Sequence, residues 1–269
     1  MVVFYIAQIL HVIFFLDLKK NLFKMKKIIL LILILSFAFQ NHLSSQIVNT
    51  INLNESENKG WSGSFELEYD YNKSTEIDAE FINSTNLMWN NNNLSLMFFN
   101  IIDFHRAGEE DFSNDHLQHF RVKYYLKDKF ALESYLQNQH DLVHNIEKRK
   151  LAGLGFKANF PIIDFIGLSI FYEDELLVDA ISHRDYRMNF YNELSFNISE
   201  NLKFSNVIYY QPNIEEYNDY KLALESTLSF PIIKNLYFTN TLSLAHDTYP
   251  AVDIPKTTYQ IKNSLKFKF

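Results

Sequence analysis

From Trp61 to Phe269 the chain alternates apolar and polar residues with a period of two, and no other feature limits its fold as strongly. Trp61, Gly63, Phe65, Leu67, Tyr69 and Tyr71 interleave with Ser62, Ser64, Glu66, Glu68 and Asp70. Successive side chains of an extended strand project to opposite faces, so this segment has one apolar and one acidic face. The pattern recurs over 61–72, 75–89, 93–104, 117–127, 130–139, 148–160, 165–174, 185–197, 201–211, 219–230, 236–246 and 257–269, which predicts twelve strands. All five prolines, at 161, 212, 231, 250 and 255, fall between these spans and none inside a strand. Proline has no N–H to give to a ladder, so their placement argues independently for the same boundaries.

A soluble sandwich would also alternate, but its strands run to about 5–6 residues, whereas a tilted membrane strand needs about 9–11. These spans are nearer the second figure. The connections alternate as well. Short ones lie at 90–92, 127–129, 161–164, 199–200 and 231–235, and long polar ones at 105–116, 140–147, 175–184, 212–218 and 247–256, with Lys73-Ser74 the exception. An even strand number, alternating loop lengths and flanking aromatics are the marks of a transmembrane, antiparallel, up-and-down β-barrel of the outer-membrane type. Short connections are then expected on the periplasmic side and long ones outside. Ile166, Leu168, Ile170 and Tyr172, and Leu236, Phe238, Leu242 and Leu244, supply the outward apolar band. Phe269, with Phe267, Leu265 and Ile261 on its face, resembles the terminal assembly signal of such barrels, which makes the barrel-assembly machinery an expected partner.

Ahead of the barrel, Met25-Lys26-Lys27 and the apolar run Ile28–Phe39 read as a secretory signal peptide over 25–45, followed by a short lead at 46–60 and the barrel at 61–269. Residues 1–24 read as an over-extended gene start or, alternatively, an extra anchor. Export through the periplasm to the outer membrane of a Gram-negative-type bacterium follows, with outer-membrane lipid and lipopolysaccharide as its surroundings. Setting aside 1–45 removes five Lys and one Asp and leaves 20 basic against 31 acidic residues, a net charge of −11 that excludes nucleic acid as a partner. Zero Cys excludes a disulfide scaffold, a zinc–cysteine site and a thiol nucleophile. A hydrophobic content of 47% with a mean hydropathy of −0.16 excludes a helical membrane protein, and alternation accounts for both values together.

Residues of the opposite parity face the lumen. The first two strands place Glu66, Glu68, Asp70, Glu76, Asp78 and Glu80 there, with Arg121, Lys123, Arg149, Lys157, Arg187, Lys203, Lys221, Lys262, Lys266 and Lys268 as basic counterparts. Antiparallel closure brings Glu66 and Glu68 level with 262–266. Such a lining is either a salt-bridged seam that fixes closure or a charged pathway for a small solute. Twelve strands lie between the filled eight and the porous sixteen, so both readings stay open, as does the solute. His105, His116, His140, His144, His183 and His246 collect at the long-loop end with Glu109, Glu110, Asp111, Asp115, Asp141, Asp185 and Asp247, and His119 lies just below. His140, Asp141 and His144 form the candidate metal site, against the reading that long loops simply collect polar residues. No cofactor is expected. Thr85, Ser134, Asn192, Asn206, Ser226, Asn240 and Asn263 share outward parity at similar heights, as an inner membrane interface or a protein contact.

Trp61-Ser62-Gly63, Arg121-Val122-Lys123-Tyr124-Tyr125 with Glu133-Ser134-Tyr135-Leu136-Gln137, and Arg149-Lys150-Leu151-Ala152-Gly153-Leu154-Gly155 resemble segments of the salt-induced outer-membrane protein family. The resemblance covers 61–269 and concentrates in 117–160. It departs at Asn72-Lys73-Ser74-Thr75, where the family carries Gly-Asn. It implies a barrel of unassigned role linked to envelope or osmotic stress, and it transfers no catalytic residue. Three functions are weighed: a non-enzymatic scaffold or narrow channel, an outer-membrane lipid hydrolase, and a surface binder using the acidic, His-rich loops. A hydrolase needs Ser, His and a polar orienter on the lipid-facing wall near the outer leaflet. Ser134 and Ser226 lie near the other end, and no nucleophile elbow, phosphate-cradling glycine loop or HExxH occurs.

Overall fold

The computed structural model describes residues 59–73, 77–107, 113–127, 129–160 and 163–269. The expected signal peptide at 25–45, residues 1–24 and all but the end of the lead lie outside the described residues. So do Glu76, Glu109, Glu110 and Asp111, together with the side chains of Asp70 and Asp78. Twelve strands follow in order: β1 (Gly60–Lys73), β2 (Ile77–Asn90), β3 (Leu94–Ala107), β4 (Ser113–Lys127), β5 (Phe130–Asp141), β6 (Ile146–Asn159), β7 (Phe165–Leu177), β8 (Ser182–Ser199), β9 (Leu202–Pro212), β10 (Tyr220–Ile233), β11 (Leu236–Asp247) and β12 (Thr257–Lys268). Each pairs antiparallel with its sequence neighbours, and β1 pairs with β12 to close the barrel.

The register fixes the geometry. Cross-strand partners run from Ser64 through Asn86, Phe99, His119, Gln137 and Leu151 to Glu173 and Asp185. Continuing around the barrel returns to β1 roughly 16 residues further along, a shear that tilts the strands by about 45°. At that tilt a 14-residue strand rises about 30 Å, the thickness of a bilayer core.

The outer wall of β1 and of β3–β8 is apolar at mid-height. Leu136, Leu154 and Ile170 are 59%, 72% and 53% exposed, alongside Phe65, Phe98, Phe120, Phe156, Leu168 and Phe190. A soluble chain does not present so continuous an apolar surface to water. Aromatic pairs between neighbouring strands ring both ends. Phe130–Phe156, Phe196–Phe204 and Phe230–Phe238 lie toward the short connections, and Phe81–Phe104, Tyr172–Tyr186 and Tyr210–Tyr220 toward the long ones. Where the wall is polar, the groups satisfy one another, as hydrocarbon requires. Asn206 Nδ2 donates to Ser226 Oγ at 2.7 Å, Asn240 Nδ2 to Asn263 Oδ1 at 2.8 Å, and Thr85 Oγ1 to Asn83 Oδ1 at 3.1 Å.

Two of the prolines expected in connections sit inside strands. Pro212 is the last residue of β9, and Pro231 lies in β10 where the register shifts between Pro231 and Ile233. A strand end and a bulge are the positions where a missing N–H costs the ladder nothing.

Closure is short. β1 and β12 pair from Ser64–Lys268 to Leu67–Leu265, four residues where the other seams run to nine or more. Phe269 extends it: its N–H donates to the Gly63 carbonyl and its carbonyl accepts from the Gly63 N–H, both at 3.0 Å. A Cβ on Gly63 would meet the Phe269 ring at 2.7 Å and the Asn86 carbonyl at 2.5 Å. The glycine of Trp61-Ser62-Gly63 therefore seats the terminal ring.

Candidate functional site

The lumen holds the charged residues, and it has two unlike sides. Across β4–β10 it is filled. Glu173 sits at the centre, 1% exposed: Arg149 Nη2 lies 2.5 Å from its Oε1, and Arg187 Nε donates to its Oε2 at 2.7 Å. Arg187 then forks onto Asp219, with Nη1 at 3.1 Å and Nη2 at 2.7 Å. Lys221 Nζ reaches Glu175 at 3.2 Å and lies 3.7 Å from Asp247. Two nearly parallel N–H donors meeting two carboxylate oxygens is the strongest geometry available to such a pair.

Toward the short-connection end the filling turns aromatic. The Arg121 guanidinium lies 5.1 Å above the Tyr135 ring and 5.7 Å from that of Tyr191, and its Nη1 is 3.5 Å from Glu133. The Tyr191 hydroxyl donates to Glu133, and the Tyr135 hydroxyl shares a 3.0 Å hydrogen bond with Ser169. Lys157 Nζ stands 3.6 Å above the Phe165 ring. Glycine makes this possible. A Cβ on Gly153 would lie 2.3 Å from the Tyr135 ring, and one on Gly167 2.0 Å from that of Tyr191. The Gly153 position of Arg149-x-Leu151-x-Gly153-x-Gly155 is thus the space into which Tyr135 lies down. A void of about 30 Å³ remains among Arg121, Tyr135, Arg149 and Phe171, room for a water or two.

The other side, bounded by β1–β5 and β10–β12, holds a cavity of about 140 Å³. Short hydroxylic side chains, Ser64, Ser84, Thr227, Thr241 and Ser243, share its lining with the apolar Ile82, Phe99, Ile101 and Leu117. The carboxylates of Glu66, Glu68, Asp103, Asp115, Asp141 and Glu225 outnumber Lys262 and Lys266 there. Glu66 is anchored: Lys266 Nζ is 3.0 Å from it, and Thr239 and Ser264 hydroxyls donate to its Oε1 at 2.7 and 2.5 Å. Charge is also graded along the axis. Near the short connections Arg121, Lys123, Lys157, Lys203, Lys266 and Lys268 face inward against Glu133 and Glu193, while near the long ones Glu68, Asp103, Asp115, Glu173, Glu175, Asp219 and Asp247 face inward against Arg149, Arg187 and Lys221.

At closure, where Glu66 and Glu68 are expected level with 262–266, the register sets Glu66 opposite Lys266. Arg121, Arg149 and Arg187 are inward and buried as read from parity, and among the described residues they form ion pairs with carboxylates on neighbouring strands rather than with those of β1 and β2 set against them in sequence. Their partners are Glu133, Glu173, Glu175 and Asp219. Adjacent strands lie about 4.8 Å apart, so a side chain meets its neighbours around the wall before it can cross the lumen. Lys123 stands in register with Glu133, and Glu80 with His105 and Asp70. Glu133, Glu173 and Glu175 were missed, although inward parity follows for Glu133 from the outward Ser134 beside it and for Glu173 and Glu175 from the outward Leu168 and Ile170.

The candidate metal trio is divided. β5 continues to Asp141, so His140 and Asp141 are adjacent strand residues pointing to opposite faces. His140 Nδ1 lies 2.5 Å from the Glu147 carbonyl, and its ring stacks outside on His116 at 5.6 Å. Asp141 points inward and caps a single 3₁₀ turn, Leu142–His144, with His144 Nδ1 2.9 Å from both its oxygens. Among the described residues no group of three or more His, Asp and Glu is placed to hold a metal ion. Ser226, weighed as a nucleophile, is engaged by Asn206.

Among solved structures the fold is similar to that of an outer-membrane channel from Pseudomonas putida F1, with a TM-score of 0.51 and 9% identity over 83% of this chain and 100% of that one. The NanC porin, at 8% identity over 78% of this chain and 98% of its own, and the KdgM porin, at 10% over 77% and 99%, both score 0.42. At such identities the likeness is one of fold. No curated protein matches the chain. Residues 41–269 match the family model described as "Protein of unknown function, DUF481", and the chain belongs to that family.

Proposed function

We propose that the protein is a non-enzymatic outer-membrane barrel that conducts small cations through the unfilled side of its lumen. The observation that carries this is the 140 Å³ cavity with six carboxylates and two lysines in its wall, beside a sealed opposite side. The long connections face outward in this reading. The carboxylates near them concentrate cations at the outer mouth, and low-dielectric walls focus that field. The inward lysines at the periplasmic end oppose the passage of a second cation and keep the conductance low. The packed arginine–carboxylate network gives the barrel a fixed cross-section rather than a path.

Single-channel recording of the refolded barrel in a planar bilayer tests the reading. Steady small steps with a cation-selective reversal potential are expected, and the double change Glu68→Gln/Asp103→Asn lowers the cation preference severalfold. A silent barrel, or an anion-selective one, overturns it in favour of a sealed scaffold.

A further inference from the structure

One arc of the outer wall breaks the apolar and aromatic pattern at the long-connection end. His116 and His140 are register partners on β4 and β5 with stacked rings, and Asn138 Nδ2 lies 3.5 Å from His116 Nε2. Asn138 is the register partner of Lys150 on β6, Lys150 of Asp174 on β7, and Asp174 of Arg184 on β8. Lys148 and Lys150 are exposed, and the Arg184 side chain is 70% exposed with Nε 3.0 Å from Asp174. Arg106 ends the arc on β3. Basic side chains thus stand outside five of the six strands from β3 to β8, histidines on β4 and β5 and lysine or arginine on β3, β6 and β8, with Asp174 on β7 and the exposed Glu147 on β6 among them.

Their height matters as much as their sign. On β7 and β8 the tyrosine pair Tyr172–Tyr186 sits one outward position deeper than Asp174 and Arg184, and on β3 Phe104 sits one deeper than Arg106. Aromatic rings mark the boundary between hydrocarbon and headgroup, so the cations stand at headgroup level. Among the described residues β9–β12 differ. At the same end β9–β12 turn Tyr210, Tyr220, His246 and Tyr259 outward, and the Tyr210–Tyr220 and Tyr220–His246 rings pack on one another. A belt of cations serving general solubility would not give way to aromatic rings at β9.

We propose that this arc docks the phosphate groups of an anionic glycolipid of the outer leaflet, of the lipopolysaccharide type. Lysines supply point charges to the phosphate oxygens and Arg184 a planar fork. The stacked imidazoles and Asn138 offer hydrogen bonds to the sugar hydroxyls between them. The inference rests on the long connections facing outward, but not on conduction, since a sealed barrel could dock the same lipid.

The test is titration of the detergent-solubilised barrel with fluorescent lipopolysaccharide, read by polarisation. Each surface cation contributes about a factor of five to anionic-lipid binding, so Lys148→Gln/Lys150→Gln/Arg184→Gln is expected to weaken it about a hundredfold. Chemically dephosphorylated glycolipid on the unaltered barrel should lose a similar factor, and Lys148→Arg/Lys150→Arg should lose almost none. Should the triple variant fail to show the heat-modifiable gel shift of a folded barrel, Lys148→Gln/Lys150→Gln carries the test with about a twentyfold loss. Equal binding of the dephosphorylated glycolipid, or equally tight binding of phosphatidylglycerol, overturns the assignment. So does full competition by millimolar inorganic phosphate, which would identify a free-phosphate site.

Discussion

The two sides of the lumen are built from one wall, one hydrogen-bond ladder and one inward parity, yet one is filled and the other is not. The difference lies in side-chain volume. Inward positions on β4–β9 carry Arg121, Tyr135, Arg149, Phe171, Arg187, Tyr191 and Tyr209, whereas those on β1, β2 and β10–β12 include Ser64, Ser84, Asn86, Thr227, Thr241, Ser243 and Ser264 beside the larger Glu66, Ile82 and Lys262. Both sides are charged, so charge does not decide which one is open. In a twelve-stranded barrel, whose width neither forces filling nor forbids it, the sequence of inward residue sizes sets the bore.

The largest effect expected from breaking this contrast is at the hub of the filled side. Glu173→Gln keeps the shape but removes the charge that Arg149 and Arg187 share. Removing one partner of a buried ion pair costs about 3–5 kcal/mol, because the remaining charge is left without compensation. Urea unfolding from lipid vesicles should show a loss of that order. Glu66→Gln, at the wet closure pair with Lys266, should lose much less, because water in the cavity solvates the stranded lysine. Equal losses would mean the two sides share one dielectric, and the contrast would collapse.

Packing gives the next effect. Gly167→Ala places a methyl where the Tyr191 ring lies and forces that ring off its place against Glu133. Overpacking of this kind costs about 1–3 kcal/mol. Ser243→Leu adds more volume, but into the cavity, and should be tolerated in stability while reducing conductance. Thermal unfolding of the two variants side by side reads the difference. A Ser243→Leu barrel less stable than Gly167→Ala would show that the cavity closes up in solution.

How much of this was legible follows from which physics is local. Strand parity is a property of consecutive residues, so the twelve strands, the outward band and the inward facing of Arg121, Arg149 and Arg187 could be read directly. Counting from both ends of the barrel could set Glu66 and Glu68 level with 262–266, but the partner itself is fixed by the summed register, which places Glu66 opposite Lys266. The partner of Arg187 could not be read in that way. Asp219 lies beyond the start of β10, and the register that carries it there depends on the summed offsets of several strands. The His140–Asp141–His144 trio misled for the opposite reason: placing it in a loop discarded parity, which holds through Asp141 and separates the first two members. The empty side is legible only once inward residues are compared by size around the whole circle, since no single strand contains it.

The smallest effect offers the cleanest comparison, because chemistry and distance are matched. Tyr135 and Ser169 share a hydroxyl–hydroxyl hydrogen bond of 3.0 Å on the filled side, and Thr227 and Thr241 share one of 3.0 Å on the cavity side. Ser169 also accepts from Asn189 Nδ2 at 3.2 Å, so Ser169→Ala takes a partner from two buried polar groups, the Asn189 donor among them, where the nearest void holds no more than a water or two. An unsatisfied buried donor costs about 1–3 kcal/mol. Thr241→Val removes the same kind of bond with a side chain of similar shape and good strand propensity, but cavity water replaces the lost partner, so less than about 1 kcal/mol is expected. Chemical unfolding resolves a gap of that size. A Thr241→Val loss equal to that of Ser169→Ala would mean that the cavity is dry, and a dry cavity cannot carry ions.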